Sequence, residues 1–428
     1  MAHRTATWHA IAVGLSLALF ACSRRELPAP STHSAPPPTT ALPTASSSAP
    51  IEPSPARVRI DPTSSRVTVT ELPFHAVDVA AGASPSAEFP KGTLILARSG
   101  ESGFVLIEWD PASSRVLREA THPFDPGSGI QVGNTRALTR TGTGFAYATT
   151  GYEDPSPIEL WILGPDFVKK HHRVIHVPSV DARRLSLHGL GETLALSYCT
   201  RGEHHVVSFD VPSGKVVGRT TLGRKLALCV GFRTPLADVR VIGSTVWAVS
   251  GGLSDYQVVA LSRDLRRVVS RYPVPTPGLQ ADARESAINM GAFPRFDATA
   301  ARIAWNTRGE LRMSRAEDGA PIWRGFVDSA SISPGPVSAP EEMDLPIVID
   351  PDTGAAFLGD GTWYAPDGVA NRVFRVREEQ PDYAPVPVQH RRLVTFAHGR
   401  AVFLGVSPEH ATLALVEPEL PSLDAGLR

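Results

Sequence analysis

Residues 60–67 read Ile-Asp-Pro-Thr-Ser-Ser-Arg-Val, and residues 109–116 read Trp-Asp-Pro-Ala-Ser-Ser-Arg-Val. The copies start 49 residues apart. In each, an apolar run ends on Asp-Pro, a small polar pair completes a turn, and Arg-Val opens the next run. Asp can bond the backbone two residues on, and Pro presets one dihedral. A turn recurring at this interval predicts stacked β units, as in a propeller or a solenoid.

Weaker copies extend the pattern. Val207-Ser-Phe-Asp-Val-Pro-Ser-Gly-Lys-Val-Val-Gly-Arg219 has the same shape, as do 258–271 and 311–324, with 159–168 and 362–369 looser. Asp or its turn equivalent falls near 61, 110, 166, 210, 264, 318 and 367, spacings that suit one four-stranded blade each. Runs such as Arg66-Val-Thr-Val-Thr70 and Thr245-Val-Trp-Ala-Val249 alternate at period two and are rich in β-branched residues. The fold class expected is all-β, a single β-propeller. Blades are expected at about 74–122, 130–178, 181–223, 226–274, 287–328 and 340–378, and the last segment, 388–418, supplies only three strands. A strand in 57–73 has no blade of its own. Pairing the two closes a ring of seven, with eight blades as the alternative count, and closure removes the exposed edge that an open ring would leave.

The chain has 428 residues, 42% of them hydrophobic and 20% charged, with a formal net charge of -1. That balance gives no reason to expect a nucleic-acid partner. Its 35 glycines and 39 prolines suit many turns plus one segment without fixed structure.

The N-terminus reads as an export signal over residues 1–21. Ala10-Ile-Ala-Val-Gly-Leu-Ser-Leu-Ala-Leu-Phe20 is an apolar core too short to span a bilayer. Leu19-Phe20-Ala21-Cys22-Ser23 resembles a bacterial lipobox, which implies lipidation of Cys22, and Ser23 is similar to the residue found there in lipoproteins sorted to the outer membrane. Acyl chains contribute about 0.8 kcal/mol per buried methylene, so they would hold the chain on a membrane without a spanning helix. Residues 22–56 are expected to form a disordered Pro/Ser/Thr/Ala-rich tether, extended at about 3.1 Å per residue, followed by the propeller over 57–418 and a disordered tail over 419–428.

The strand–Asp–turn–Gly-Lys–strand pattern of 207–219 resembles the repeats of quinoprotein-like (PQQ-type) propellers. Met313-Ser-Arg-Ala-Glu-Asp-Gly-Ala-Pro-Ile-Trp-Arg324 resembles them too, with Trp323 where those repeats place a docking tryptophan. The comparable strands of other repeats carry Leu117, Val217 and Val269. The overall plan is similar to the outer-membrane propeller lipoprotein of the β-barrel assembly machinery. The resemblance implies fold; catalysis in quinoproteins relies on a vicinal cysteine pair and calcium ligands, neither of which is visible, so no cofactor is expected.

Cys199 and Cys229 follow apolar runs in consecutive blades and are expected to pair in a disulfide. His171-His172 and His204-His205 are expected to be solvated turn histidines rather than metal ligands. Asp350-Pro-Asp-Thr-Gly354 starts like a calcium loop but lacks its closing Glu, and reads as a β-turn. Gly251-Gly-Leu-Ser-Asp255 is not a nucleophile elbow, since no Gly follows Ser254 at the required place. Gly142-Thr-Gly144 and Gly359-Asp-Gly361 read as hairpin turns rather than phosphate loops. No catalytic or metal-binding residue is expected. The functional expectation is a membrane-anchored envelope lipoprotein whose propeller binds a protein or ligand; the alternative is a metal-assisted hydrolase or lyase working in the central channel.

Overall fold

The computed structural model describes residues 65–418 apart from 101, 128–129, 131–134, 152–156, 178–184, 201–202, 223–238, 251–256, 274–294, 308–309, 327–345, 360–361, 373–390 and 407–410. The expected leader, Cys22, the tether, the C-terminal tail, Cys229 and the Gly251–Asp255 stretch lie outside these residues.

The described chain forms 28 strands in seven four-stranded sheets, all antiparallel. Six sheets are consecutive meanders: β2–β5 (Ala76–Ala81, Leu94–Ser99, Gly103–Asp110, Arg115–Pro123), β6–β9 (Thr135–Thr141 to Lys169–Ile175), β10–β13 (Leu185–Leu190 to Lys215–Leu222), β14–β17 (Val239–Ile242 to Val268–Pro273), β18–β21 (Arg295–Ala298 to Pro321–Phe326) and β22–β25 (Ile347–Ile349 to Ala370–Arg372). The seventh has the order β1-β28-β27-β26, so its first three strands come from the C-terminus (Arg391–Ala397, Arg400–Val406, Ala411–Pro418) and its outermost from the N-terminus (β1, Ser65–Leu72). β1 pairs with β28 over its whole length, from Ser65 opposite Pro418 to Leu72 opposite Ala411. The innermost strand of each sheet touches that of the next, and β26 touches β2, so the ring closes. The protein is a seven-bladed β-propeller, closed as expected by the N-terminal strand.

Seven apolar clusters account for the arrangement, each joining mainly two adjacent sheets. One joins Ile95, Phe104 and Leu106 to Tyr147, Trp161 and Phe167 across the first and second sheets. Another joins Leu94, Leu96 and Trp109 to Leu404, Leu413 and Leu415, where the last sheet meets the first. Every sheet thus has apolar residues on both faces and a neighbour covering each. For this reason β4, β7, β8 and β11 are buried along their entire length, as in sheets covered on both sides. The outer strands face water along most of their length, as in β5 and β17.

The turns from third to fourth strand are built alike. In each of the six continuous ones a single residue has positive φ: Ser114, Phe167, Gly214, Leu265, Gly319 and Gly368. The recurring Asp closes the turn at Asp110, whose carboxylate accepts from Ala112 N at 2.9 Å and Ser113 Oγ at 2.5 Å, and at Asp210, which accepts from Ser213 N at 3.0 Å and Ser213 Oγ at 2.5 Å. The bonds from Ser213 hold the Asp210 carboxyl below its ordinary value. At Asp110 burial works in the opposite direction, but the bonds from Ser113 and Ala112 outweigh it.

A β-bulge follows the same position in five blades, between Glu108/Trp109, Ile162/Leu163, Ser208/Phe209, Ala260/Leu261 and Met313/Ser314. It shifts the outer strand by one residue. The structure corrects the sequence alignment here. Opposite the residue before the bulge stand Arg118, His171, Gly218, Ser270 and Trp323, not Leu117, Val217 or Val269. Several of these residues dock on the third-to-fourth turn of the following blade. Arg118 donates to Pro165 O at 2.5 Å and lies over the Phe167 ring at 4.2 Å. His171 Nε2 is 2.8 Å from Pro212 O.

Candidate functional site at the ring axis

The innermost strands, β2, β6, β10, β14, β18, β22 and β26, surround the axis. Polar side chains on these strands interrupt otherwise apolar runs, and the structure shows what they hold. Asp78 on β2 accepts from Leu138 N of β6 at 2.9 Å and from its neighbour Val79 N at 2.9 Å. Thr139 Oγ1 on β6 accepts from Gly189 N of β10 at 3.1 Å. On β10, Ser186 Oγ accepts from Val239 N at 3.2 Å and His188 Nδ1 from Val241 N at 3.0 Å, both on β14. Arg240 on β14 forms an ion pair with Asp297 on β18, and Asp297 Oδ2 accepts from Ile349 N of β22 at 2.7 Å. Each polar group therefore satisfies a backbone donor, or a charge, of the next blade round.

This use has an electrostatic cost at His188. Burial, and then the Arg240 guanidinium, push its pKa down to about 3, so it is neutral at pH 7. Neutrality is also what its bond requires, because Nδ1 accepts from Val241 N and cannot carry a proton while it does so.

The histidine pairs occupy different surroundings from those expected. His204 is buried, with 1% of its surface exposed. Its Nδ1 donates to Val249 O at 3.0 Å, and Nε2 bonds Ser197 Oγ. His172 stacks on Trp161 at 4.9 Å and bonds the fully buried Glu159 at 2.8 Å. His205 stacks on Tyr198 at 5.1 Å, and burial lowers its pKa despite the opposing pull of Glu203. These side chains are parts of blade packing, and His171, within β9 and docked on Pro212 O and Gly214 of the next blade, is one of them; none is the solvated turn histidine expected. Asp350 accepts from Asp352 N at 2.9 Å and from Thr353 Oγ1, which makes the stretch an Asp-closed turn. Gly142 sits in the β6–β7 hairpin, donating to Gly191 O at 2.8 Å. Cys199 is fully buried on β11 opposite His204; its expected partner, Cys229, lies outside the described residues. Among the described residues no three His, Cys, Asp or Glu are grouped to hold a metal, and no helix is long and apolar enough to cross a membrane.

Asp78, His188, Arg240 and Asp297 were not singled out from sequence. A usable signal existed for two of them. Asp78 in Ala76-Val-Asp-Val-Ala80 and Asp297 in Arg295-Phe-Asp-Ala298 are single carboxylates inside the first, inner strand of a repeat, where a lone charge needs a fixed partner.

The two faces of the ring also differ. The four longest connections, 223–238, 274–294, 327–346 and 373–390, all join an outer strand to the next inner strand. They leave from strand ends on one face. The hairpin turns within the sheets that close on inner and outer strands lie on the other.

No family model matches the chain, and no curated protein matches it in sequence. Among solved structures it is similar to the WD40 domain of Toxoplasma gondii coronin, at 9% identity over 86% of this chain and 90% of that one, with a TM-score of 0.47. It is also similar to the Dos1 propeller, at 8% identity over 82% and 94%, TM-score 0.41. A third is the dihydro-heme d1 dehydrogenase NirN in complex with DHE, at 14% identity over 85% and 72%, TM-score 0.42.

Proposed function

We propose that this chain is an envelope lipoprotein, anchored by acylated Cys22 and directed to the outer membrane, whose propeller serves as a rigid scaffold for binding a protein or ligand. One observation carries the binding reading: polar groups on β2, β6, β10 and β18 are engaged in joining blades. Asp78, Thr139, His188 and Asp297 each accept a backbone N–H of the next sheet. Groups used in this way support a scaffold better than a metal-assisted channel site. Recognition then falls to the face from which the four longest connections leave, since segments carried on a rigid ring suit binding. The repeats are read as quinoprotein-like, which is supported by the contact of Trp323 with the next blade's turn at Gly368.

The reading is tested in a bacterial host by labelling with an alkyne palmitate analogue and by cross-linking in intact envelopes. The full-length chain should take up label and fractionate with the outer membrane, and Cys22→Ala should do neither. Cross-linking should recover the same partner in repeated experiments. Equal labelling of Cys22→Ala would remove the anchor, and cross-linking without a reproducible partner would remove the binding role.

A further inference from the structure

The chain as a whole is nearly neutral, with 42 Lys and Arg against 43 Asp and Glu. Its outer strands are not. Over β1, β5, β9, β13, β17, β21 and β25, Lys and Arg outnumber Asp and Glu eleven to two. Four consecutive blades also begin their outer strand in the same way. Blade one has Arg115-Val-Leu-Arg118 and blade two has Val168-Lys-Lys170. Blade three has Lys215-Val216, and blade four has Arg266-Arg-Val-Val269. All of these residues are exposed, and the aliphatic ones, including Val116, Val168 and Val269, keep between 39% and 54% of their surface in water. In blade five the corresponding stretch turns inward, with Trp323 buried.

Edge strands often carry charge to prevent pairing with other chains. Lysine is the commonest protector, but a protective edge has no use for uncovered valines. On these outer strands one sign dominates, with the turn carboxylates Asp166 and Asp264 beside it on the same face, and aliphatic side chains lie uncovered. Lys169, Lys170, Lys215 and Arg267 make no ion pair among the described residues. The position is specific as well. Each stretch follows a third-to-fourth-strand turn, so all four lie at one face of the ring. Ser65, where the described chain begins, is paired with Pro418 at the equivalent point of the seventh blade, on this same face.

We propose that this arc of blades one to four is a docking surface for an anionic lipid bilayer. Arg115, Lys169, Lys170, Lys215 and Arg267 would meet phosphate-bearing headgroups, Arg118 being held by Glu108 and Pro165 O, and the interleaved valines and Leu117 would enter the boundary between headgroups and acyl chains. That combination of basic charge and exposed aliphatic surface is what binding in the plane of a membrane requires. The surface lies opposite the face with the longest connections, which it would leave turned away from the membrane.

The test uses the full-length chain carrying Cys22→Ala, so that acylation plays no part and its failure remains separate from this one. Sedimentation with vesicles of phosphatidylcholine alone is compared with vesicles containing phosphatidylglycerol. Binding to the anionic vesicles is expected to be at least about tenfold tighter at low salt and to weaken as salt screens it. Lys169→Glu/Lys170→Glu/Lys215→Glu/Arg267→Glu, with an unchanged circular dichroism spectrum, is expected to fall to the level on neutral vesicles. Both chains share the same N-terminal segment, so their difference reports on the ring. Should the fourfold variant misfold, Val168→Ser/Val269→Ser is expected to weaken binding several-fold while leaving its salt dependence in place. Equal binding to both kinds of vesicle, or variants that bind like the parent, would overturn the proposal. So would displacement by inorganic phosphate beyond that by chloride at equal ionic strength, or tighter binding to heparin than to vesicles of equal charge.

Discussion

Trp323 and Gly368 are a matched pair across two blades. A Cβ at Gly368 would lie 2.8 Å from the Trp323 Cβ and Cγ, and Gly368 itself has φ +86°. The same indole stacks on Tyr364 at 4.9 Å. The turn of the sixth blade thus leaves a space for a side chain of the fifth, and only glycine provides both the space and the dihedral. Gly368→Val should lower stability by about 2–3 kcal/mol, because it adds left-handed strain to a clash. The midpoint of urea unfolding measures this, and an unchanged midpoint would show that the blades do not dock in this way.

Asp297 ties three blades together through the Arg240 ion pair and the Ile349 N bond. Asp297→Ala would leave a guanidinium and a backbone donor partly buried without this acceptor. A loss of about 3 kcal/mol is expected, in the range for breaking one side of a buried pair. Replacing Glu119, an exposed residue of β5, should change stability by less than about 0.5 kcal/mol.

His188 predicts a pH dependence of defined sign. Its ordinary pKa is 6.5 and its folded value is about 3, lowered by burial and then by Arg240. Between those values the unfolded chain binds the extra proton. The stability that neutral His188 contributes is therefore fully present above about pH 6.5, and is lost as pH falls through the window toward 3. His188→Leu should lower stability at pH 7, since Val241 N loses its acceptor, yet flatten the profile between pH 6.5 and 4. Parallel profiles for parent and variant would refute the assignment.

Cys199 and Cys229 are expected to form a bridge closing a loop of about 30 residues, worth roughly 3.5 kcal/mol by the chain-entropy model. Peptide mass analysis of unreduced protein should recover the two segments joined. Recovery of both as free thiols from oxidising conditions would contradict the pairing.

Much of this fold was readable because its unit repeats. Asp-Pro-x-Ser-Ser marks a turn whose hydrogen bonds are nearly all local, at Asp110 with Ala112 and Ser113, so the residues that specify it are adjacent in the chain. The missing strand of the last sheet could be counted, and β1 was the unpaired strand left to fill it. The docking residues were displaced by one position because a bulge has no sequence mark of its own; Arg118 and Leu117 are neighbours with opposite surroundings. His204 looked solvated because its partners, Ser197 and Val249, come from another strand and another blade. The basic outer rim was concealed by a net charge of -1, since charge separation depends on which strand is outermost and a total cannot show it.

Amide hydrogen exchange over β1 tests the closed ring most directly. The register from Ser65–Pro418 to Leu72–Ala411 predicts that the amides of 65–72 that bond to β28 exchange as slowly as those of β13 and β17, the outer strands of continuous blades, and that removing residues 1–72 exposes β28 to rapid exchange. Exchange across 65–72 at the rate of an unstructured peptide, with β28 still protected when β1 is absent, would mean that the ring is not closed by its N-terminal strand.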